Sequence, residues 1–139
     1  MSTQSRRFLT VADVMLAAGS CPVVSSNTIL KEVMDSMDDH RLGVVCVVGR
    51  DGDLSGILTE GDIRRLLLRV QKPLAAILTD DVGGYAVKNP QTTFPGTSLA
   101  EAVLLMGDKR VWDLPVVDSN NKFLGLLHLH QALLGVMPK

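Results

Sequence analysis

The chain has 139 residues, 46% of them hydrophobic and only 4% aromatic, and its 14 Lys and Arg against 15 Asp and Glu leave a formal net charge of -1. That length fits one domain or two tightly fused half-domains, with an aliphatic core that takes about two thirds of the unfolded surface out of water. Near-neutral charge gives no field to gather nucleic acid, aromatic platforms for bases are scarce, and no run approaches the ~18 apolar residues of a membrane span, so a soluble protein bound to neither nucleic acid nor membrane is expected.

The polar opening, residues 1–7, is expected to be frayed. No secretory leader pattern precedes Cys21 and Cys46, and Cys46 lies within the apolar run Val44 to Val48, as suits a buried thiol in a reducing cytoplasm. A short extended segment is expected around Pro22 to Val24. Thr28 then reads as a helix cap ahead of Leu30, Val33, Met34 and Met37, whose spacing predicts an amphipathic helix with one buried stripe. The apolar runs Val44 to Val48 and Leu54 to Leu58, joined by Gly49-Arg50-Asp51-Gly52-Asp53, predict a hairpin. Within it Gly56 marks a place where another backbone can come close. A second helix is expected over about Glu60 to Val70, followed by a linker, residues 71–84, that contains Pro73, Gly83 and Gly84.

The same order then recurs. Residues 24–63 align without a gap on 93–132, an offset of 69 (93 minus 24), and ten of these forty positions are identical, among them Thr28/Thr97, Arg41/Arg110, Gly56/Gly125 and Leu58/Leu127. The second copy predicts an extended segment around Thr92 to Phe94 and a helix capped by Thr97 that buries Leu99, Ala102, Val103 and Met106. A hairpin of Leu114 to Val117 with Phe123 to Leu127 and a helix over Leu129 to Val136 complete it. Each unit therefore reads strand, helix, strand, strand, helix. Taken as residues 9–70 and 85–137, neither copy is expected to bury its apolar face alone.

The strongest chemical constellation is Thr59 with Asp62, three residues apart at a strand-to-helix junction. One reading is a helix cap with an acidic residue in the first turn. The other uses the same geometry for a ligand: free N–H groups face a phosphate while Asp62 accepts from ribose hydroxyls. His128 and Gln131 take these places in the second copy and form a bulkier, neutral lining. Leu127-His128-Leu129-His130 would set two imidazoles on one strand face, but no carboxylate or cysteine completes a metal site. Arg41 and Arg110 recur before the hairpin as helix-end cations that also permit phosphate contact. Trp112 suits either a stacked base or a subunit contact. Arg64, Arg65 and Arg69 form a basic helix face. No nucleophile elbow, phosphate-loop glycine pattern or paired carboxylates point to catalysis.

The order of elements, the opening Val11-Ala12-Asp13-Val14-Met15, the run Leu114-Pro115-Val116-Val117-Asp118 and Gly56-Ile57-Leu58-Thr59-Glu60-Gly61-Asp62 resemble a tandem pair of cystathionine-β-synthase (CBS) domains, or Bateman module, across about residues 9 to 137. Thr59-Glu60-Gly61-Asp62-Ile63-Arg64-Arg65 and the His-Leu-His run are closer still to the C-terminal CBS pair of arabinose-5-phosphate isomerases, enzymes of Kdo and lipopolysaccharide biosynthesis. The resemblance implies an α/β fold of two pseudo-symmetric repeats, each a small sheet packed by helices, and a regulatory role in a cleft between repeats rather than catalysis. It implies ligand contacts from Val24, Arg41, Gly43, Val44, Thr59 and Asp62 in the first copy. In the second it implies Thr92, Thr93, Arg110, Trp112, Leu114, Pro115, His128 and Gln131. CMP-Kdo, or an adenine nucleotide, is the effector it implies, with no other cofactor and no metal. It further implies a homodimer joined through the helices and a catalytic sugar isomerase domain in the parent protein. Two other readings stand beside it, a stand-alone sensor of adenine nucleotides and a ligand-free dimerisation scaffold. The degenerate second opening, Val82-Gly83-Gly84-Tyr85-Ala86, makes the two sites chemically unequal.

Overall fold

A computed structural model describes residues 9–137. The elements are α1 (Val11–Val14), β1 (Leu16–Ala17), β2 (Val23–Val24), α2 (Leu30–His40), β3 (Val44–Val48), β4 (Leu54–Thr59), α3 (Glu60–Arg69), α4 (Leu74–Leu78), α5 (Leu99–Lys109), β5 (Asp113–Val117), β6 (Phe123–His128) and α6 (Leu129–Val136). Short 3-10 turns lie at Ala18–Ser20 and Val82–Gly84. Two compact units result: residues 20–90, here the first unit, and residues 9–19 with 91–137, the second. The polar opening, residues 1–7, falls outside the described residues.

Each unit carries the same sheet. In the first, β2 runs parallel to β3, β3 antiparallel to β4, and Val87 bridges Ile57 beyond β4. In the second, Thr93 bridges Val116 in parallel, β5 is antiparallel to β6, and β1 pairs beyond β6. The outermost position is thus filled in each unit by the segment that leads into the other repeat. Residues 82–87 complete the first unit, and residues 10–17 complete the second. Individual bonds match as well. Val82 donates its N–H to the Thr28 carbonyl at 2.8 Å and Leu30 to that of Asp80 at 2.9 Å; in the second unit Val11 donates to Thr97 at 2.9 Å and Leu99 to Leu9 at 3.0 Å.

This pairing overturns the expected caps. Ile29 precedes α2 with no side-chain cap, and α5 is capped by Ser98, whose hydroxyl accepts the Glu101 N–H at 3.2 Å. The carbonyls of Asp80 and Leu9 already take the first helical N–H groups, and Thr28 and Thr97 lie just upstream as backbone acceptors for the leading segments. Nor do residues 71–84 run free. They hold α4 and a 3-10 turn, and Ile77 and Val82 are buried in the first unit's core. Asp80 ties this stretch down: Lys72 Nζ lies 2.6 Å from its carboxylate and the Tyr85 hydroxyl donates to it.

The cores follow the helical stripes read from the sequence, except that Met34, expected in the first stripe, is 39% exposed and Val103, expected in the second, is only partly buried. Leu30, Val33 and Met37 of α2 pack with Val45, Val47, Leu58, Ile63 and Leu66; Leu99, Ala102 and Met106 of α5 pack with Leu114, Val116, Leu127 and Ala132. Both hairpin glycines are close-approach points. A Cβ on Gly56 would stand 3.0 Å from the Val87 carbonyl oxygen, and one on Gly125 only 2.3 Å from that of Leu16. Cys21 and Cys46 are buried and form no disulfide.

Candidate functional site

The site is built where β4 turns into α3. Thr59 is the last residue of β4 and lies opposite Val44, the first residue of β3. Its hydroxyl accepts the Asp62 N–H at 3.1 Å while Asp62 Oδ2 accepts the Thr59 N–H at 2.9 Å, a closed capping box that satisfies two donors the helix leaves free. The second oxygen, Oδ1, accepts from Arg65 Nη2 at 2.9 Å. Burial pushes the Asp62 carboxyl up, but Arg65 and the donors of Thr59 outweigh it and hold the group below the ordinary aspartate value. The carboxylate is therefore charged, half-buried and aimed by its own helix. Glu60 N–H binds the Gly43 carbonyl at 2.9 Å, and the Glu60 side chain fills the space beside Gly43, where a Cβ would meet its Oε2 at 2.6 Å. Gly43, Val44, Thr59 and Asp62 are thus gathered at one end of the hairpin.

The equivalent junction of the second unit differs in a way the sequence reading missed. His128 ends β6 without capping α6, whose first turn holds no acidic residue. Instead His128 Nδ1 lies 2.7 Å from Oδ1 of Asp113, its cross-strand partner in the register. The Asp113 side chain is only 8% exposed. Burial raises its carboxyl above the ordinary value and the imidazole offsets this only in part. A carboxyl group, which Gln131 lacks, is thus present at this junction on the strand, paired with His128. Asp113 aligns with Val44 and is the one charge at the head of an otherwise apolar strand, which was the available signal. Gln131 Oε1 is buried with no protein partner. The Trp112 carbonyl accepts the Leu129 N–H at 2.8 Å, as Gly43 does for Glu60, while Trp112 as a residue is 70% exposed.

The remaining candidates are dispersed. Arg41 and Arg110 are exposed and close α2 and α5 in the left-handed conformation, both at φ 55°, where backbone N–H groups reach back to the last helical carbonyls. Val24 pairs with Val47, well along the strand from the Thr59 junction. Thr93 is buried and exchanges bonds with Pro115 and Val117 at 3.0 Å, with Thr92 half-buried beside it. Leu114 is fully buried in the core cluster, so its side chain serves packing. His128 and His130 do not share a strand face, since β6 ends at His128 and His130 lies in α6. No cluster of three or more His, Cys, Asp or Glu among the described residues is placed to hold a metal, and no described helix is long and apolar enough to cross a membrane.

The family model of the CBS domain matches residues 11–69 and, a second time, 82–136. The chain belongs to the CBS domain family. Arabinose 5-phosphate isomerase KdsD of Pseudomonas aeruginosa is 33% identical over 133 residues, which is 95% of this chain and 40% of that protein. Homoserine O-acetyltransferase of Methanocorpusculum labreanum is 33% identical over 119 residues, 86% of this chain and 22% of that protein. This CBS pair therefore spans less than half the length of the curated relatives it matches. A crystal structure of CBSX2 in complex with AMP has the same fold, with a TM-score of 0.79 at 23% identity over 90% of this chain and 93% of that one.

Proposed function

We propose that this CBS pair is the regulatory nucleotide-binding module of an arabinose 5-phosphate isomerase, working in the cytoplasm. The observation that carries the reading is the charged carboxylate of Asp62, held beside Thr59 at a helix start, in a chain that aligns along 95% of its length with KdsD. The same kind of module forms part of a homoserine O-acetyltransferase. An isomerase and an acyltransferase share no reaction, so the shared segment serves as control rather than chemistry. Ligand binding then acts by favouring one of two conformations of the parent enzyme. AMP is the first effector to test, because CBSX2 was crystallised with it. CMP-Kdo, a nucleotide sugar of the pathway, is the second. Titration calorimetry of the chain with AMP, ATP, CMP and CMP-Kdo tests the reading; heat with at least one is expected, and none with any of the four would overturn it.

A second reading, a ligand-free dimerisation scaffold, is favoured by the apolar surface of the helices. Met34, Leu67 and Leu68 of α2 and α3, and Leu104, Leu133 and Leu134 of α5 and α6, are exposed. A groove lined by Met34, Met37, Ile63 and Leu67 is edged by Asp35, Asp38, Arg41 and Arg64, a mixture that suits a self-complementary contact. A dimer mass by light scattering is expected under both readings. A monomer at every concentration removes the scaffold.

A further inference from the structure

We propose that Arg65 keeps the first repeat's ligand carboxylate closed in the empty protein, by laying its guanidinium across Gly61 onto Oδ1 of Asp62, so that a ribose must displace it. The inference rests on the nucleotide reading above. The two oxygens of Asp62 are not equally available. Oδ2 is tied to the Thr59 N–H at 2.9 Å as part of the cap, and giving it up would uncap α3. Oδ1 is held by a side chain that can leave: Arg65 is 51% exposed whereas Asp62 is 20% exposed. A vicinal diol donates its hydroxyls to carboxylate oxygens, and Oδ1 is the one it can win without breaking the helix start.

The arginine passes close over the bare Cα of Gly61. A Cβ there would stand 3.1 Å from Nη2 and 3.3 Å from Nη1 of Arg65, so a side chain crowds the guanidinium, which has to give by a few tenths of an ångström. All three members change together in the other repeat. Gly61, Asp62 and Arg65 correspond to His130, Gln131 and Leu134, which leaves no carboxylate, no cation and no open Cα. The arginine is thus placed with the carboxylate it covers. An exposed ion pair at this helical spacing contributes little, so opening it should change affinity by about two- to fivefold.

Calorimetry with adenosine and cytidine tests this, because these probes carry no phosphate with which a released arginine could pair. Arg65→Gln is expected to bind the nucleosides about two- to fivefold more tightly than the parent chain, and Gly61→Ala to move binding in the same direction by less. The preference over the 2'-deoxynucleosides should widen with them. Equal or weaker binding by Arg65→Gln overturns the proposal. A second arm needs no ligand: NMR titration of the Asp62 carboxyl should move toward the ordinary aspartate value in Arg65→Gln, and less far in Gly61→Ala, and an unmoved titration in Arg65→Gln shows that Arg65 does not hold the carboxylate. A titration that moves while no variant binds any nucleoside overturns the competition alone, and the nucleotide reading stands or falls with the four nucleotides above.

Discussion

At the end of β4, Thr59 caps the following helix and Asp62 closes the box; at the end of β6, His128 caps nothing and turns instead to Asp113 on the neighbouring strand. The backbones at these two places match, down to the carbonyl of the residue before β3 or beside the start of β5 that receives the first helical N–H. Only the side chains differ, and the difference moves a carboxylate from a helix start to a strand. At the helix start it is surrounded by donors and remains charged. On the strand it is almost fully buried, tied to one imidazole and harder to ionise. A carboxylate of the first kind can exchange a partner for a ligand at small cost. One of the second kind is chiefly committed to its own fold, and for that reason the proposed ribonucleotide site is the one in the first repeat.

The largest contrast between the halves lies behind these junctions, at the hairpin glycines. Gly125→Ala should destabilise the protein by about 3 kcal/mol and Gly56→Ala by about 1, because the added carbon meets the Leu16 backbone more closely than that of Val87. Chemical denaturation would measure both. Equal losses would mean that the two leading segments yield alike. Next, His128→Ala should cost roughly 2 kcal/mol by leaving a buried carboxylate unpaired, against about 1 for Thr59→Ala, which loses a cap. The reverse order would break the assignment of a structural role to Asp113 and His128.

Ligand binding should sharpen the comparison further. Removing an ionised partner from a ligand hydrogen bond costs about 1.5 to 3 kcal/mol, so Asp62→Ala should weaken nucleotide binding by about tenfold or more, with a smaller loss for Gln131→Ala. Similar losses in calorimetry would place ligand contacts in both repeats. The smallest effect is on pH dependence, where the two aspartates have opposite signs. The Asp62 value is lowered in the fold, so its stabilisation is present above the ordinary aspartate value and is lost as the pH falls through the folded one. The Asp113 value is raised, so the fold is disfavoured as the pH rises from the ordinary value through the folded one. Asp62→Asn should therefore flatten the acid limb of a stability profile, and Asp113→Asn should remove a decline at higher pH. Slopes of the same sign would contradict the two environments.

The sequence by itself determined the repeat, the helical stripes of Leu30, Val33 and Met37 and of Leu99, Ala102 and Met106, both hairpins with their close-packed glycines, and the cap at Thr59. These are short-range matters, since helical and strand periods and a capping box are settled within a few residues of one another. Tertiary structure decided which segment finishes which sheet. The bonds from Val82 to Thr28 and from Val11 to Thr97 join residues 54 (82 minus 28) and 86 (97 minus 11) positions apart. Those distant donors displaced the threonine caps, and the same long-range docking buries Ile77 and Val82 of the linking stretch, residues 71–84, in the first unit's core. Asp113 was legible only as an isolated charge in an apolar strand. Its partner followed from the cross-strand register that sets it opposite His128, because a strand's side-chain neighbours are chosen by pairing across the sheet and not by proximity along the chain.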